Sequence, residues 1–217
     1  SRAAPVVAFI PALLVESRME IRTFDRRLDK AEAIKHTRNL STRRYLRHLL
    51  ADTFGRGSGP SDPTVYIVYY PDYIIYTSVV YKRLRNTETH KFLAGVDAVS
   101  GDIGEVDVDL PDSHLQDVER NVRIEPQVTE AEARDEWSGW IFEYMSRKYR
   151  AIKLNEYEID DIELIYTPYW IIDNGSIEDS LAVSDLTRRT AKVDEIRVIK
   201  EFYEDYLSAN PPAPLVE

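Results

Sequence analysis

Histidine is the side chain most often used for metal binding and proton transfer, and the four histidines of this chain are scattered. No HExxH motif is present, so the sequence predicts no metal site built on one helix. The absence of cysteine excludes disulfides, zinc ribbons, iron–sulfur clusters and cysteine nucleophiles. The glycine patterns of nucleophile elbows, Walker loops and dinucleotide-binding folds are also missing. We therefore predict a protein without a catalytic centre, cofactor or metal of its own.

Two acidic segments are rich in the oxygen ligands that calcium prefers. The first contains Asp107, Asp109 and Asp112, and the second spans residues 173–179. Neither matches the twelve-residue calcium-binding loop, and the turn-forming tendency of Asp, Asn and Ser accounts for both. We expect them to be solvated acidic loops.

A basic segment at residues 35–48 is the one candidate for phosphate binding. On a helix, Arg43 and Arg47 would share a face and could contact phosphates. The whole chain has 28 Lys and Arg against 38 Asp and Glu, a net charge of −10, which repels nucleic acid. We expect an exposed helix that pairs with the protein's own carboxylates, and no strong nucleic-acid binding.

Aromatic side chains crowd two segments of the chain. Residues 64–81 and 157–172 are β-branched or aromatic almost throughout, with Pro71 and Pro168 inside them. Side chains alternate between the two faces of a strand, so tyrosines at odd and even positions cannot all enter one core. We expect some to bind a partner protein, whereas in the alternative a second layer of the same chain covers them. The candidate interaction residues are Tyr66, Tyr69, Tyr70, Tyr73, Tyr76, Tyr169 and Trp170.

Hydrophobic periodicity predicts the elements that position these side chains. In the first half, apolar residues that alternate with charged ones predict a strand, and apolar residues three and four apart predict a helix. Proline cannot donate to a ladder, so we expect each aromatic strand to lie at an edge or to bulge at its proline. The predicted elements are a strand over 13–24, a helix over 28–54, a glycine-rich loop over 55–63, a strand over 64–81 and, over 91–110, two strands joined by a turn near Ser100 and Gly101.

The second half begins with a capping box. Thr129 followed by Glu132 predicts the start of a helix over 130–150. After the second aromatic strand, Asn174 and Gly175 predict a tight turn, because both tolerate positive φ. A strand, turn and strand then lead to a short final helix.

The two halves share a sequence string. Residues 68–75 and 165–172 both read aliphatic, Tyr, any residue, Pro, any residue, aromatic, Ile, Ile. Each is followed by a Leu-Ala pair with an aspartate three residues after the alanine, at Asp97 and Asp185. We predict an α+β fold of two similar α-β-β-β units, each an antiparallel sheet with a helix packed on one face.

This organisation predicts five segments and the superposition of residues 64–110 on 162–198. The segments are an N-terminal arm or strand over 1–27, a first unit over 28–112, a linker over 113–128, a second unit over 129–207 and a proline-rich tail over 208–217.

The end of the first unit contains Val96, Asp97 and Ala98, followed by Ser100 and Gly101. This string resembles the last hairpin of PepSY-type domains, which commonly runs Val-Asp-Ala-x-Thr-Gly into a strand, with serine here in place of threonine. The second unit keeps Asp185 and Thr187 but has Arg188 in place of the glycine. The resemblance implies a small non-catalytic module found near membranes and peptidases.

The functional expectation is a protein-binding module that acts through aromatic sheet surfaces. The alternative is a structural subunit of a virion or cell-surface appendage that docks through its terminal arms, and an undetected hydrolase is third. The apolar stretch 3–15 is interrupted by Pro5 and Pro11 and is shorter than the roughly 20 residues of a membrane-spanning helix. Localisation stays open between the cytoplasm and a virion or cell envelope.

Overall fold

The computed structural model describes residues 18–37, 63–84, 86–174 and 176–204. These residues form one mixed eight-stranded sheet with three α-helices, an α+β fold. The strands are β1 Arg18–Phe24, β2 Thr64–Arg83, β3 Asn86–Asp97, β4 Ile103–Glu105, β5 Ser113–Glu119, β6 Lys153–Asp173, β7 Leu181–Ser184 and β8 Thr190–Lys192. The helices are α1 Lys30–Thr37, α2 Glu130–Tyr149 and α3 Arg197–Phe202.

The strand order is β4-β3-β2-β6-β1-β5, with β7 paired to β6 and β8 to β7. All ladders are antiparallel except the contact between β1 and β6. The expectation of a separate sheet for each half is therefore wrong. The two aromatic strands pair with each other and join both halves into one sheet.

The β2–β6 ladder is the centre of the fold. It runs from Thr64 opposite Asp173 to Lys82 opposite Lys153, with Tyr70 opposite Thr167. The two copies of the shared string therefore lie side by side in opposite directions. Strands buried on both faces read as nearly continuous apolar runs, which explains the crowding of aromatic and β-branched residues in this pair.

Both prolines lie in central strands, and the β2–β6 register does not shift at either of them. The Pro71 carbonyl accepts from the Ala98 amide (3.2 Å), and the Pro168 carbonyl accepts from the Asp185 amide (3.0 Å). In an antiparallel strand the N–H and C=O of one residue point to the same side. Each missing N–H thus points away from the β2–β6 ladder, at the position where β3 or β7 ends. The expected edge position or bulge at the prolines is wrong.

The outer strands have corresponding registers. Val96 in β3 and Val183 in β7 each lie opposite the residue two positions after a proline. With the prolines aligned, Asp97 therefore corresponds to Ser184, and the sequence match of Asp97 to Asp185 is displaced by one residue.

The segment expected to be a linker, 113–128, belongs to the sheet. Residues 113–119 form β5, which pairs with β1 along its whole length. A 3₁₀ turn follows, and the Ile124 amide donates to the Tyr69 carbonyl (3.0 Å). The segment reads as polar because β5 is an edge strand in which Val118 is the one buried residue.

Helices α1 and α2 pack on the same face of the sheet, which we call the helix face. In α2, Ala133, Trp137, Ile141 and Met145 recur every four residues and are buried against β2 and β3. The predicted capping box at Thr129 is confirmed. Helix α1 packs on β6 and β7, and its Ala33 is fully buried.

The opposite face is covered in part. Helix α3 covers one half, where Ile199 and Phe202 pack on the aromatic strands. Near the middle, residues 106–110 and Phe24 cover Ile74. The predicted tight turn after β6 is wrong, because Asn174 opens a longer connection and its side chain donates to the Asp179 carbonyl (2.8 Å).

Several expectations lie outside the described residues. They concern the first residues of the predicted N-terminal strand, most of the basic segment, the glycine-rich loop and the proline-rich tail. The corresponding ranges are 1–17, 38–62 and 205–217, together with residues 85 and 175.

Candidate functional site

The seven candidate aromatic residues have different environments. Tyr169 is half-buried, and Tyr76 is exposed at 37%. The expectation of an aromatic partner surface is therefore wrong for the other five. The buried residues are Tyr66, Tyr69, Tyr70, Tyr73 and Trp170.

A second layer of the same chain covers the buried tyrosines on each face. Tyr69 and Tyr73 belong to the helix face, while Tyr66 and Tyr70 lie on the opposite face in the cluster that includes α3. Their hydroxyls also find partners within the chain, and that of Tyr73 donates to the Val128 carbonyl (3.1 Å). These side chains act in the core, as large amphipathic residues with satisfied polar tips.

A polar cluster lies among the apolar residues at the centre of the opposite face. Asp72 in β2 lies directly opposite Asp97 in β3, at a non-hydrogen-bonded position where side chains approach closely. The Tyr70 hydroxyl donates to Asp97 Oδ2 (2.7 Å), and the Thr167 hydroxyl donates to Asp72 Oδ2 (3.0 Å). The cluster thus joins strands β2, β3 and β6 through side chains.

Burial raises the pKa of Asp72 to about 7. The hydrogen bond from Thr167 lowers this pKa, and the negative charge of Asp97 raises it. Burial and then the charge of Asp72 raise the pKa of Tyr169 to about 12. Burial also raises the pKa of Tyr70, followed by its hydrogen bond to Asp97. The cluster can take up or release one proton near neutral pH.

Asp97 also organises the turn that resembles the PepSY hairpin. Its Oδ1 accepts from the Val99 amide (2.8 Å) and the Ser100 amide (2.9 Å). Gly101 then adopts φ +81°, a conformation that costs glycine little. The aspartate and the glycine of this motif are therefore explained by backbone geometry.

The sheet extends beyond the part covered by α3. We call residues 76–83, 86–93 and 153–161 the distal sheet. On its opposite face Tyr76 is exposed and Val80 and Leu93 are half-buried, and no described helix packs over them. An open depression of 470 Å³ lies here, lined by Tyr76, Thr77, Lys91, Phe92, Leu93, Asp160 and Asp161.

Helix α2 supports the distal sheet from the helix face. Phe92 of β3 contacts the rings of Trp140 and Tyr144, with centroids 6.2 and 5.1 Å apart. The Tyr149 hydroxyl lies 2.7 Å from His90 Nε2. One face of the distal sheet is thus fixed by aromatic packing, while on the other face the described residues place no helix.

Carboxylates line the β6 side of this open face. The register shifts between residues 76 and 77, so that Asp160 is the extra residue of a β-bulge. Its Oδ2 accepts from the Ser78 hydroxyl (2.5 Å) and lies 3.5 Å from Lys91 Nζ. Burial, and then the charges of Glu163 and Asp161, raise the pKa of Tyr76.

Within the described ranges, no three His, Asp or Glu side chains converge as they would to hold a metal ion. The same residues contain no helix that is both long and apolar enough to cross a membrane. No protein-family model, curated protein or solved structure matches the chain.

The Asp72–Asp97 pair and the carboxylates of β6 were not predicted from the sequence. The pair depends on the register of two strands, which no local pattern reveals. A signal for the carboxylates was available, because residues 156–163 contain five acidic side chains in the first half of a strand whose second half is aromatic and aliphatic. Another missed signal is the second capping box, in which Asp29 and Glu32 exchange hydrogen bonds at the start of α1.

Proposed function

We propose that the protein is a non-catalytic binding module for other proteins and that the open face of the distal sheet is its binding surface. The observation that carries the proposal is the exposure of Tyr76 beside Val80 and Leu93 on a sheet face that no described helix covers. Exposed aromatic and aliphatic side chains on a rigid support are typical of protein interfaces.

The polar cluster supports a non-catalytic role. Each carboxylate already accepts a hydrogen bond from a hydroxyl, Asp72 from Thr167 and Asp97 from Tyr70. Asp97 is further occupied by two backbone amides. Groups engaged in this way join the three strands at the sheet centre, and the resemblance to PepSY-type domains agrees with a module that binds without catalysis.

We also infer that the chain is a tandem duplication in which each copy's helix packs on the other copy's hairpin. Helix α2 packs on β2 and β3, and α1 packs on β6 and β7. Both helices begin with a capping box, followed by a buried alanine at Ala33 or Ala133. In the segments before these helices, residues 27–28 and residues 127–128 are bound by the turn of the opposite hairpin.

The backbone hydrogen bonds of the two turns support the duplication. The Gly101 amide donates to the Asp97 carbonyl, and the Arg188 amide donates to the Ser184 carbonyl, at 2.9 and 2.8 Å. Gly101 and Arg188 also both have positive φ, +81° and +57°.

The turn after β3 and the turn after β7 also make corresponding contacts with the segment that precedes the helix packed on their hairpin. The Ala98 carbonyl accepts from two consecutive amides, those of residues 127 and 128, both at 2.8 Å. The Asp185 carboxylate accepts from the amides of Arg27 (2.6 Å) and Leu28 (3.1 Å). A carbonyl in one copy and a carboxylate in the other thus perform the same anchoring.

The duplication gives a reason for the open surface. Strand β3 has 12 residues and β7 has 4, so the first hairpin extends beyond the part that the two copies share. The extension is the distal sheet, which has α2 on one face only.

The duplication is tested at Arg188. Because Gly101 occupies the corresponding position, we expect Arg188→Gly to leave stability unchanged or to raise it by up to about 1 kcal/mol. Thr187→Gly, at a residue without positive φ, is the control and should lose about 0.5 to 1 kcal/mol. Urea unfolding measures both, and a larger loss for Arg188→Gly than for the control would contradict the equivalence.

The binding function is tested by selecting peptides from a displayed random library on the full chain. We expect the selected peptides to lose binding to the variant Tyr76→Ala/Val80→Ser. They should keep binding to Phe142→Ala, which removes an exposed aromatic side chain from α2 (57% exposed). Peptides that bind both variants equally, or a failure to select any peptide, would contradict a binding role for the distal sheet.

A further inference from the structure

The part of β6 in the distal sheet combines a free backbone edge with a row of negative charge. Residues 153–161 pair with β2 on one side. On the other side, β1 makes its single ladder contact with β6 further along, at Thr23 opposite Tyr166. Among the described strands none pairs with the other edge of residues 153–161, so backbone N–H and C=O groups there are available to an added strand.

The carboxylates of this part of β6 point to the open face. Glu156, Glu158 and Asp161 lie opposite Val80, Ser78 and Tyr76 in the ladder. All three are exposed, and in the described part of the chain no Lys or Arg pairs with them. The bulged Asp160 already pairs with Lys91 (3.5 Å).

Among the described positive charges of the distal sheet, Lys91 lies on the same face as this row but pairs with the bulged Asp160. Lys82 and Lys153 face each other at the far end of the β2–β6 ladder. Among the described residues, the row from Glu156 to Asp161 therefore presents three carboxylates without an ion-pair partner beside an exposed aromatic ring. Alternate residues of an extended partner strand are about 6.8 Å apart, which matches the spacing of Glu156 and Glu158 on this face.

We infer that the open face and free edge of β6 bind an extended segment of a partner protein that carries Lys or Arg at alternate positions. This inference rests on the proposed binding function and names its partner class. Charge complementarity favours such a segment, while Tyr76 can contact an Arg guanidinium or an apolar residue between the charges. A second copy of the chain is disfavoured, since pairing β6 with itself would bring like charges together.

The test is fluorescence anisotropy of the full chain with three synthetic peptides of about nine residues, the length of the free edge. They alternate threonine with lysine, serine or glutamate. We expect the lysine peptide to bind at least about tenfold more tightly than the serine peptide and to weaken as salt is raised. The glutamate peptide should bind more weakly than the serine peptide.

Two variants with the same net charge provide the comparison. Glu156→Gln/Glu158→Gln/Asp161→Asn should remove the preference for lysine. The control should retain the preference, because its three exposed carboxylates lie on α2 and in the loop after β6. The control substitutions are Asp135→Asn, Glu136→Gln and Glu178→Gln.

The outcomes separate this inference from the binding function itself. Equal binding of all three peptides, with loss on Tyr76→Ala, would overturn the basic partner and leave the binding surface in place. Loss of the preference in both charge variants would also overturn the inference, because the attraction would then come from net charge. If none of the three peptides binds, the inference fails, and the displayed library decides separately whether the distal sheet binds any peptide.

Discussion

Replacing Asp72 by asparagine should change how the stability of the protein depends on pH. The folded state raises the pKa of Asp72 from 3.8 to about 7, chiefly by burial. Between these values the folded protein holds a proton that the unfolded chain releases. The free energy of unfolding therefore falls as pH rises from about 4 to about 7, because the folded state must then bury a charge.

The size of the effect follows from the same two values. At about 1.4 kcal/mol per pKa unit, the rise from 3.8 to about 7 corresponds to at most about 4 kcal/mol. Part of Asp72 reaches solvent, so we expect about 2 kcal/mol. Asparagine cannot ionise, and its side-chain oxygen can still accept from the Thr167 hydroxyl. Asp72→Asn should thus be more stable than the wild type by about 2 kcal/mol at pH 8, and nearly equal to it near pH 4.

Urea unfolding of both proteins at a series of pH values measures this difference. The other carboxylates titrate in both proteins, so the difference between the two curves isolates residue 72. The control is the exposed Asp161→Asn, which should change stability by less than about 0.5 kcal/mol. A destabilised Asp72→Asn at pH 8, or a difference that does not vary with pH, would refute the argument.

Two further predictions concern the core and the anchoring of α1. Tyr73→Ala should lower the free energy of unfolding by about 3 to 5 kcal/mol, whereas Tyr76→Ala should lower it by less than about 1 kcal/mol, as measured by urea unfolding. Similar losses for both variants would contradict the assignment of Tyr76 to an open face. Asp185→Ala should cost about 2 to 4 kcal/mol, because it leaves three buried or half-buried N–H donors without their acceptor. Amide exchange of Arg27 and Leu28 should accelerate in this variant, and unchanged exchange would show that the carboxylate does not hold this segment.

Local sequence patterns were sufficient for most elements of the fold. Strand composition located β2 and β6, and the Thr129–Glu132 pair located the start of α2. The alternation rule also indicated that the tyrosines of β2 lie on both faces of the strand, and Tyr69 and Tyr73 do lie on the face opposite to Tyr66 and Tyr70. These features depend on neighbours in the chain, which a sequence displays directly.

The pairing of distant segments could not be predicted in the same way. The two halves were expected to form separate sheets because nothing local shows that β2 pairs with β6. The polar residues of 113–119 were interpreted as part of a linker, although an edge strand with one buried valine has the same composition. For the tyrosines, the covering layer was weighed as an alternative, but α3 and residues 106–110 are too distant in sequence to be assigned to that face.

The claim that the distal sheet binds an extended basic segment is tested most directly by following the backbone amide signals of the isotope-labelled full chain during a titration with the alternating lysine–threonine peptide. The account predicts that the shift changes concentrate in residues 76–82 and 153–161. It also predicts that α3 and the turn at residues 98–101 are unaffected. Changes centred on the helices, or no saturable changes at all, would contradict it.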